Sequence, residues 1–258
     1  MGDLVLTSCR ASESHRRGRT GGHDERKFVV GPHHLRRNIR HMNPYAEAFL
    51  ASRNDIIQML RTIPASEWNQ VSPLTPEWTC KEVVAHLVGV GVDVAEGNSP
   101  PRDMNAWTAS QVRRFGSLSP AELIERWETT ATEATFSEAF AQMLFDQITH
   151  EFDLRYAFAI PGDTHSARVL LAADFLTQAM KDSYTLDYDL THRAADLEGP
   201  AVVATPFEIL RARSGRRSWN QIAAMDWNAD LAEVKTSFFG NGFFEPQPDD
   251  VEVAREAH

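Results

Sequence analysis

Three side chains that can bind a divalent metal ion interrupt apolar helical patterns in this sequence. In the apolar segment 136–160, Asp146 and His150 are four residues apart, so they lie one above the other on the same helical face. His86 lies beside the apolar face of an earlier segment, 80–96. A carboxylate on such a face is costly unless a positive charge compensates it, and a divalent cation bound between neutral imidazoles does so.

Two imidazoles and one carboxylate leave one position open on a four-coordinate ion. This arrangement is typical of catalytic zinc sites, and the same donors also suit ferrous iron or nickel. The spacing alone is a weak signal, because a hydrogen-bonded Asp146–His150 pair, with His86 bonded elsewhere in the core, explains it equally well. The residues by themselves therefore leave a metal site and an ordinary buried pair as alternatives.

Composition excludes several classes of protein. The chain has 258 residues, of which 42% are hydrophobic and 24% charged, as in an ordinary soluble globular protein. We find no run of about 18 apolar residues that could cross a membrane, and no secretory signal, so we expect a cytoplasmic protein without a membrane partner. Cys9 and Cys80 are the only cysteines, so neither a disulfide framework nor a Cys-type zinc site is expected.

The net charge of −10 is unevenly distributed along the chain. Residues 1–41 contain nine Lys/Arg and four Asp/Glu, a charge of +5, so residues 42–258 carry −15. An acidic body argues against a nucleic-acid partner, because phosphate binding needs clustered positive charge. The Gly-, Arg- and His-rich segment 1–41 is predicted to be a disordered basic leader.

Hydrophobic periodicity and helix-capping signatures predict a mainly α protein. Thr79 and Ser119 are each followed three residues later by a glutamate, the pattern of a capping box. Helical patterns cover residues 44–61, 80–96, 103–115, 120–134, 136–160 and 166–183. Long helices with short to medium connections favour a four-helix bundle over residues 42–189.

The pattern changes in the last 70 or so residues. Thr205 and Ser218 begin two further short capped helices, the apolar pair Val202–Val203 is short, and the segment 234–244 is typical of a strand. We therefore predict a small α+β C-terminal domain over residues 190–258. A unit of this size is expected to pack on the bundle rather than to be stable alone.

Three segments of the chain, taken in order, carry a family resemblance. The stretch PEWTCKEVVAHLVGV (76–90) resembles a second-helix signature of the type GWTVRDVVAHL. The stretch DQITHEFDLRYAF (146–158) resembles E-x-x-x-H-x-x-D-L-R-x-A, and PFEILRARSGRRSWNQIAAMDWNAD (206–230) is similar to F-E-L-x-R-x-x-x-G-R-R-S-x-x-Q-I followed by W-x-x-D. These signatures are those of the mycothiol-dependent maleylpyruvate isomerase family, which belongs to the DinB-like metal-binding helical bundles.

The resemblance implies a site and a chemistry. The family's metal ligands fall on His86, Asp146 and His150, with zinc the foremost candidate metal. Asp146 departs from the glutamate that is usual in the family, and because Asp is one methylene shorter, the ion must lie closer to the helix or bind more weakly. The implied cosubstrate is mycothiol, the small thiol of actinobacteria. Its metal-bound thiolate would attack a small electrophile, in a cis–trans isomerisation or in a thiol transfer.

Several other side chains are candidates for a role at or near the site. Arg216 and Arg217 follow a turn at Gly215 and are candidate catalytic residues that hold a carboxylate of substrate or mycothiol, or else they form surface ion pairs. Asp153 falls on the ligand side of its helix and can orient an imidazole. Cys80 is either a thiol of lowered pKa at a helix N-terminus or a buried, inert one.

Three functions therefore remain open from the sequence. The first is a metal- and mycothiol-dependent transferase or isomerase acting on a small molecule. The second is a hydrolase that uses a metal-bound water. The third is a non-catalytic or regulatory metal-binding bundle, an alternative that the unusual Asp146 keeps open.

Overall fold

The structure is a computed structural model that describes residues 43–98, 103–130, 140–178, 183–239 and 245–251. The described residues belong to one compact unit. No helix among the described residues is long and apolar enough to cross a membrane. The predicted leader, residues 1–41, and the strand-like residues 240–244 lie outside the described parts of the chain.

Helices dominate the described residues. They are α1 (Pro44–Thr62), α2 (Cys80–Ala95), α3 (Met104–Phe115), α4 (Pro120–Thr130), α5 (Phe140–Ala157), α6 (Ala167–Thr177), α7 (Pro206–Arg213), α8 (Trp219–Ala223) and α9 (Leu231–Phe239). The bundle consists of α1, α2, α5 and α6, with α5 in contact with the other three, and α3 and α4 pack against α2.

The starts of α2 and α4 follow from the local sequence. The Thr79 hydroxyl accepts the backbone N–H of Glu82, and the Glu82 carboxylate accepts the backbone N–H of Thr79 at 2.8 Å. Ser119 and Glu122 make the same two bonds at the start of α4. The two predicted capping boxes are therefore confirmed. They satisfy first-turn N–H groups that have no partner within the helix.

A β-hairpin that the sequence did not predict leads into the second helix. Strand β1 (Val71–Ser72) pairs antiparallel with β2 (Thr75–Thr79), where only a loop was expected. Strands this short carry too few residues for a period-2 pattern, so their pairing is not visible locally. Because β2 runs directly into α2, the hairpin determines where Trp78 lies relative to that helix.

The C-terminal part contains a three-stranded sheet. Its strands are β3 (Thr185–Asp187), β4 (Ala201–Val203) and β5 (Asp226–Asn228), with β4 parallel to β3 and antiparallel to β5. The strand predicted over residues 234–239 is wrong, because these residues belong to α9. Asp230 begins that helix by accepting the backbone N–H of Ala232 at 2.7 Å, and the buried Val234 anchors it. Capping and packing there override the strand preference of the local sequence.

Two hydrophobic cores meet at α7. Phe207 and Leu210 of this helix belong to the large core of the bundle, whereas Ile209 and Ala212 belong to a smaller core that begins at Tyr184. The mainly α architecture, a helical bundle with a small α+β part, is confirmed. The domain boundary at residue 190 stays a prediction, since α7 packs into both cores.

Candidate metal centre

The three predicted ligand side chains converge. The ligand atoms of His86, on α2, and of Asp146 and His150, on α5, all lie within 4.8 Å of one another. His86 Nε2 is 3.1 Å from Asp146 Oδ2, and His150 Nε2 is 3.8 Å from Asp146 Oδ1. Within the described parts of the chain, this is the one such cluster of three or more His, Cys, Asp or Glu residues.

The cluster is buried on its histidine side and open on its carboxylate side. The side chains of His86 and His150 are 3% and 8% exposed, against 27% for Asp146. The ring of Trp78 stacks on His150 at a centroid distance of 5.8 Å and lies 5.3 Å from that of His86. The half-buried indole therefore forms a wall of the site, and Asp146 is the most exposed of the three candidate ligands.

Burial and ion pairing together shift the pKa values of the cluster. Burial alone lowers the pKa of His86, but the adjacent Asp146 carboxylate raises it above its ordinary value. Burial raises the pKa of Asp146, but His86 more than offsets this, so the Asp146 pKa lies below its ordinary range. For His150 the effect of burial outweighs that of the nearby carboxylates, so its pKa lies below the ordinary value. Asp146 is thus ionised and His150 neutral at neutral pH, the forms that bind a metal, while the Asp146 carboxylate favours the protonated form of His86, whose additional proton a cation would displace.

A buried carboxylate orients the second histidine. Asp153 Oδ2 lies 3.0 Å from Nδ1 of His150, so the contact predicted for Asp153 is confirmed. Arg211 Nη2 donates to Asp153 Oδ1 at 3.0 Å and Arg216 Nη2 donates to Asp153 Oδ2 at 2.8 Å. Against the cost of burial, the two guanidinium groups hold the pKa of Asp153 far below its usual range. An ionised Asp153 can only accept, so Nδ1 of His150 is the donor and Nε2 faces the cluster.

The two predicted catalytic arginines are buried. Arg217 donates from both Nε and Nη2 to Glu208 at 2.7 Å, while Arg216 bonds Asp153, and their side chains are 2% and 7% exposed. The ion pairs considered for them are present, but in the interior rather than at the surface. Their role as ligands of a substrate carboxylate stays a prediction. Arg211 was not predicted as a partner of the site.

A second unpredicted group lies behind His86. Nδ1 of His86 is 2.8 Å from Oε1 of Gln111, and Gln111 Nε2 donates to Asp93 Oδ2 at 2.8 Å. Asp93 had a visible signal, because it lies seven residues after His86, on the same face of an otherwise apolar helix. Gln111 had none, since its segment has a weak helical pattern.

Cys80 is the inert thiol of the two alternatives. Its side chain is buried, and burial raises its pKa to about 11 despite its place at the start of α2. Desolvation disfavours the thiolate more than the helix terminus favours it. Among the described residues Cys80 is the only cysteine, and its burial and raised pKa argue against a role as a nucleophile.

The part of the chain that contains the candidate site resembles a known protein family. Residues 49–153 match the model of a family described as the mycothiol maleylpyruvate isomerase N-terminal domain. This segment belongs to that family. It contains His86, Asp146 and His150, so the family predicted from the sequence motifs is confirmed for the part of the chain that holds the site. None of the curated proteins matches the chain.

Two solved structures are similar to the chain. One is a mycothiol-dependent maleylpyruvate isomerase, with a TM-score of 0.46, and the other is a His-to-Ala mutant of such an isomerase, with a TM-score of 0.48. Each has 13% sequence identity to this chain, and the matched region covers 67% of this chain and 88% of the solved one. Similarity at this level says nothing about the activity of the present chain.

The donor set fits a zinc ion. Four-coordinate zinc holds nitrogen and oxygen donors at about 2.0–2.2 Å, which puts neighbouring donors roughly 3.3 Å apart. The distances from Asp146 to His86 and His150, 3.1 and 3.8 Å, bracket that value, and all three donors lie within 4.8 Å. Side-chain shifts of roughly an ångström would bring the three donors to coordination distance.

Proposed function

We propose that this protein is a metal- and mycothiol-dependent enzyme that acts on a small electrophile, as a transferase or a cis–trans isomerase. The observation that carries the proposal is the convergence of His86, Asp146 and His150 inside a segment of the mycothiol maleylpyruvate isomerase N-terminal family. Two histidines and one carboxylate leave a coordination position for a further ligand. A cytoplasmic location, with no nucleic-acid or membrane partner, is part of the same proposal.

The chain's own residues would prepare the site for this chemistry. Nε2 of both histidines and the Asp146 carboxylate would hold the ion, with zinc the first candidate and ferrous iron or nickel as others. A bound zinc ion lowers the pKa of a coordinated thiol, so that a nucleophilic thiolate is available at neutral pH. Trp78 covers the two imidazoles and excludes water from that side. Asp153 keeps the proton on Nδ1 of His150.

The buried charges beside the cluster favour an anionic ligand. The Asp153 carboxylate accepts hydrogen bonds from two buried guanidinium groups, Arg211 and Arg216. The charge of Arg216 reaches all three candidate ligands, since it opposes protonation of both histidines and favours ionised Asp146. A thiolate or a substrate carboxylate at the open position gains from this field more than a neutral water does. Arg217, held by Glu208, would act only by supporting this region.

Metal analysis of protein purified without a His tag tests the site. We expect about one equivalent of zinc or another divalent metal in the wild type and none in His86→Ala, since that change removes one of three ligands. His165→Ala, at an exposed histidine outside the cluster, is the matched control and should keep its metal. A wild type without stoichiometric metal, or full retention in His86→Ala, would reject both enzyme hypotheses.

The dependence of activity on mycothiol then distinguishes among the three proposed functions, all of which include a bound metal. We expect turnover of maleylpyruvate-like cis alkenes or haloaromatic electrophiles only when both metal and mycothiol are present. Turnover of a hydrolysable ester or amide without any thiol would instead favour the metal-water hydrolase. A bound metal with neither activity would favour the non-catalytic bundle, the alternative that Asp146 keeps open.

A further inference from the structure

A series of hydrogen-bonded polar side chains connects His86 to the protein surface. Gln111 Oε1 lies 2.8 Å from Nδ1 of His86, Gln111 Nε2 is bonded to Asp93 Oδ2, and Arg114 Nη1 lies 2.8 Å from Asp93 Oδ1. Gln111 is fully buried and Asp93 is 1% exposed. The Arg114 side chain, which is 41% exposed, is the last member of this series and lies at the solvent. Of these four hydrogen-bonded residues, only His86 belongs to the candidate metal cluster.

The donor and acceptor capacities of these groups determine the direction of every bond. Arg114 can only donate, and Asp93, ionised beside it, can only accept. The amide nitrogen of Gln111 must therefore face Asp93, which leaves its carbonyl oxygen facing His86. A carbonyl oxygen can only accept, so Nδ1 of His86 must be the donor. The proton on Nδ1 leaves Nε2 as the nitrogen with which His86 can bind an ion beside Asp146.

Close helix packing holds Gln111 in this place. Gly89 lies one turn beyond His86 on α2, and a Cβ atom there would lie 2.5 Å from Cβ of Gln111 and 2.7 Å from its Cγ. The absent side chain lets α3 approach α2 until the Gln111 amide reaches the imidazole. Packing and hydrogen bonding therefore determine the position of the amide together.

We propose that Gln111 is the positioning residue for His86. The inference rests on the proposed metal-dependent function and deepens it. The hydrogen-bonded series Arg114–Asp93–Gln111 fixes the tautomer of His86 and orients its Nε2 toward Asp146. The two candidate histidine ligands are then supported differently, His150 by the ionised Asp153 and His86 by a neutral amide. Outer partners of this kind typically contribute about 10- to 100-fold to metal affinity.

A pair of matched glutamine variants tests the proposal. Gln111→Leu removes the acceptor for His86, whereas Gln147→Leu removes an equally buried amide that donates to the backbone oxygen of Phe49 at 2.7 Å. We expect the zinc Kd, measured by competition with a chromophoric chelator, to rise roughly 10- to 100-fold in Gln111→Leu. Gln147→Leu should stay near the wild type. Equal zinc affinities in the two variants would overturn the proposal.

A charge-swapped pair separates positioning from packing. Gln111→Glu still accepts from His86 but faces the like charge of Asp93, so we expect weakened zinc binding. Combining it with Asp93→Asn supplies an amide donor to the new carboxylate and should recover most of the affinity. A merely structural role predicts no such recovery, so a double variant as weak as Gln111→Glu would contradict the proposal.

Side-chain ¹⁵N NMR of His86 gives a readout that does not depend on metal. In the metal-free protein Nδ1 should carry a slowly exchanging proton in the wild type and in Gln147→Leu, and a rapidly exchanging one in Gln111→Leu. If the wild type binds no zinc, the proposed function fails and the spectrum alone decides the positioning role. An unprotonated Nδ1 in the wild type, or exchange unchanged by Gln111→Leu, would overturn it.

Discussion

Asp153 lies one helical turn beyond His150 on α5, and its Oδ2 is 3.0 Å from Nδ1 of His150. The same carboxylate binds Arg211 of α7 and Arg216 of the turn that follows that helix. One buried carboxylate thus joins a candidate metal ligand of the bundle to the C-terminal part of the chain. Changes in the C-terminal arginines should therefore reach the site through Asp153.

The first prediction concerns the stability that Asp153 contributes. Asp153→Asn keeps the size of the side chain but leaves Arg211 and Arg216 without their ionised partner, so we expect a loss of about 3–5 kcal/mol in the free energy of unfolding. Urea denaturation at pH 7 measures it. The exposed Asp189→Asn is the control and should unfold like the wild type. A loss no larger than that of the control would contradict the prediction.

The second prediction is the pH dependence of that contribution. The pKa of Asp153 is depressed in the folded protein by its two arginines, so its stabilising effect is present above the ordinary carboxyl value of 3.8 and is lost as pH falls below it. The stability difference between wild type and Asp153→Asn should therefore be constant from pH 7 to about 5 and shrink below about 4. Urea titrations across this range measure it, and a difference independent of pH down to acid unfolding would reject the assigned cause.

The third prediction concerns the unusual carboxylate of the site. Asp146→Asn removes the negative charge that a cation needs, so the zinc Kd should rise by at least the roughly 10- to 100-fold that loss of an outer partner costs. Asp146→Glu keeps the charge and is the residue usual in the family, so it should still bind zinc. Chelator competition compares the variants. Zinc binding by Asp146→Asn at wild-type strength would mean that Asp146 is not a ligand.

The fourth prediction concerns Cys80. Because burial raises its pKa to about 11, the thiol should not react with a disulfide reagent at pH 8 until urea unfolds the protein. A Cys9→Ser background removes the other thiol and makes the assay specific. Cys80→Ala in that background should retain zinc binding. Rapid labelling of Cys80 in the folded protein would show that the thiol is accessible and reactive.

The fifth prediction concerns the contact between α2 and α3. Ala in place of Gly in an open helix stabilises a protein by up to about 1 kcal/mol. Gly89→Ala should instead destabilise it by about 1–3 kcal/mol, because the new Cβ overlaps Gln111. The zinc affinity should fall as well, since Gln111 is pushed from His86. Unfolding and zinc titrations measure both, and a variant more stable than the wild type would show that the helices separate freely.

The helices were predictable because their signals are local. The segments expected over residues 44–61 and 80–96 are observed as Pro44–Thr62 and Cys80–Ala95, with the capping box at Thr79 in place. The β-hairpin before α2 and the helix α9 were not predicted. Their structure depends on strand pairing and on burial of Val234, which involve residues distant in the sequence.

By itself the sequence determined that Asp146 and His150 share one helical face, because a spacing of four residues does so in any α-helix. It also determined the family of the segment that carries them. Only the tertiary structure decided that His86, 60 residues earlier, meets Asp146 at 3.1 Å, since helix packing sets that distance. The buried partners behind the histidines, Gln111 and Asp153 with its arginines, were likewise decided by packing. Each of these polar groups is stable in the interior only where the fold supplies its counterpart.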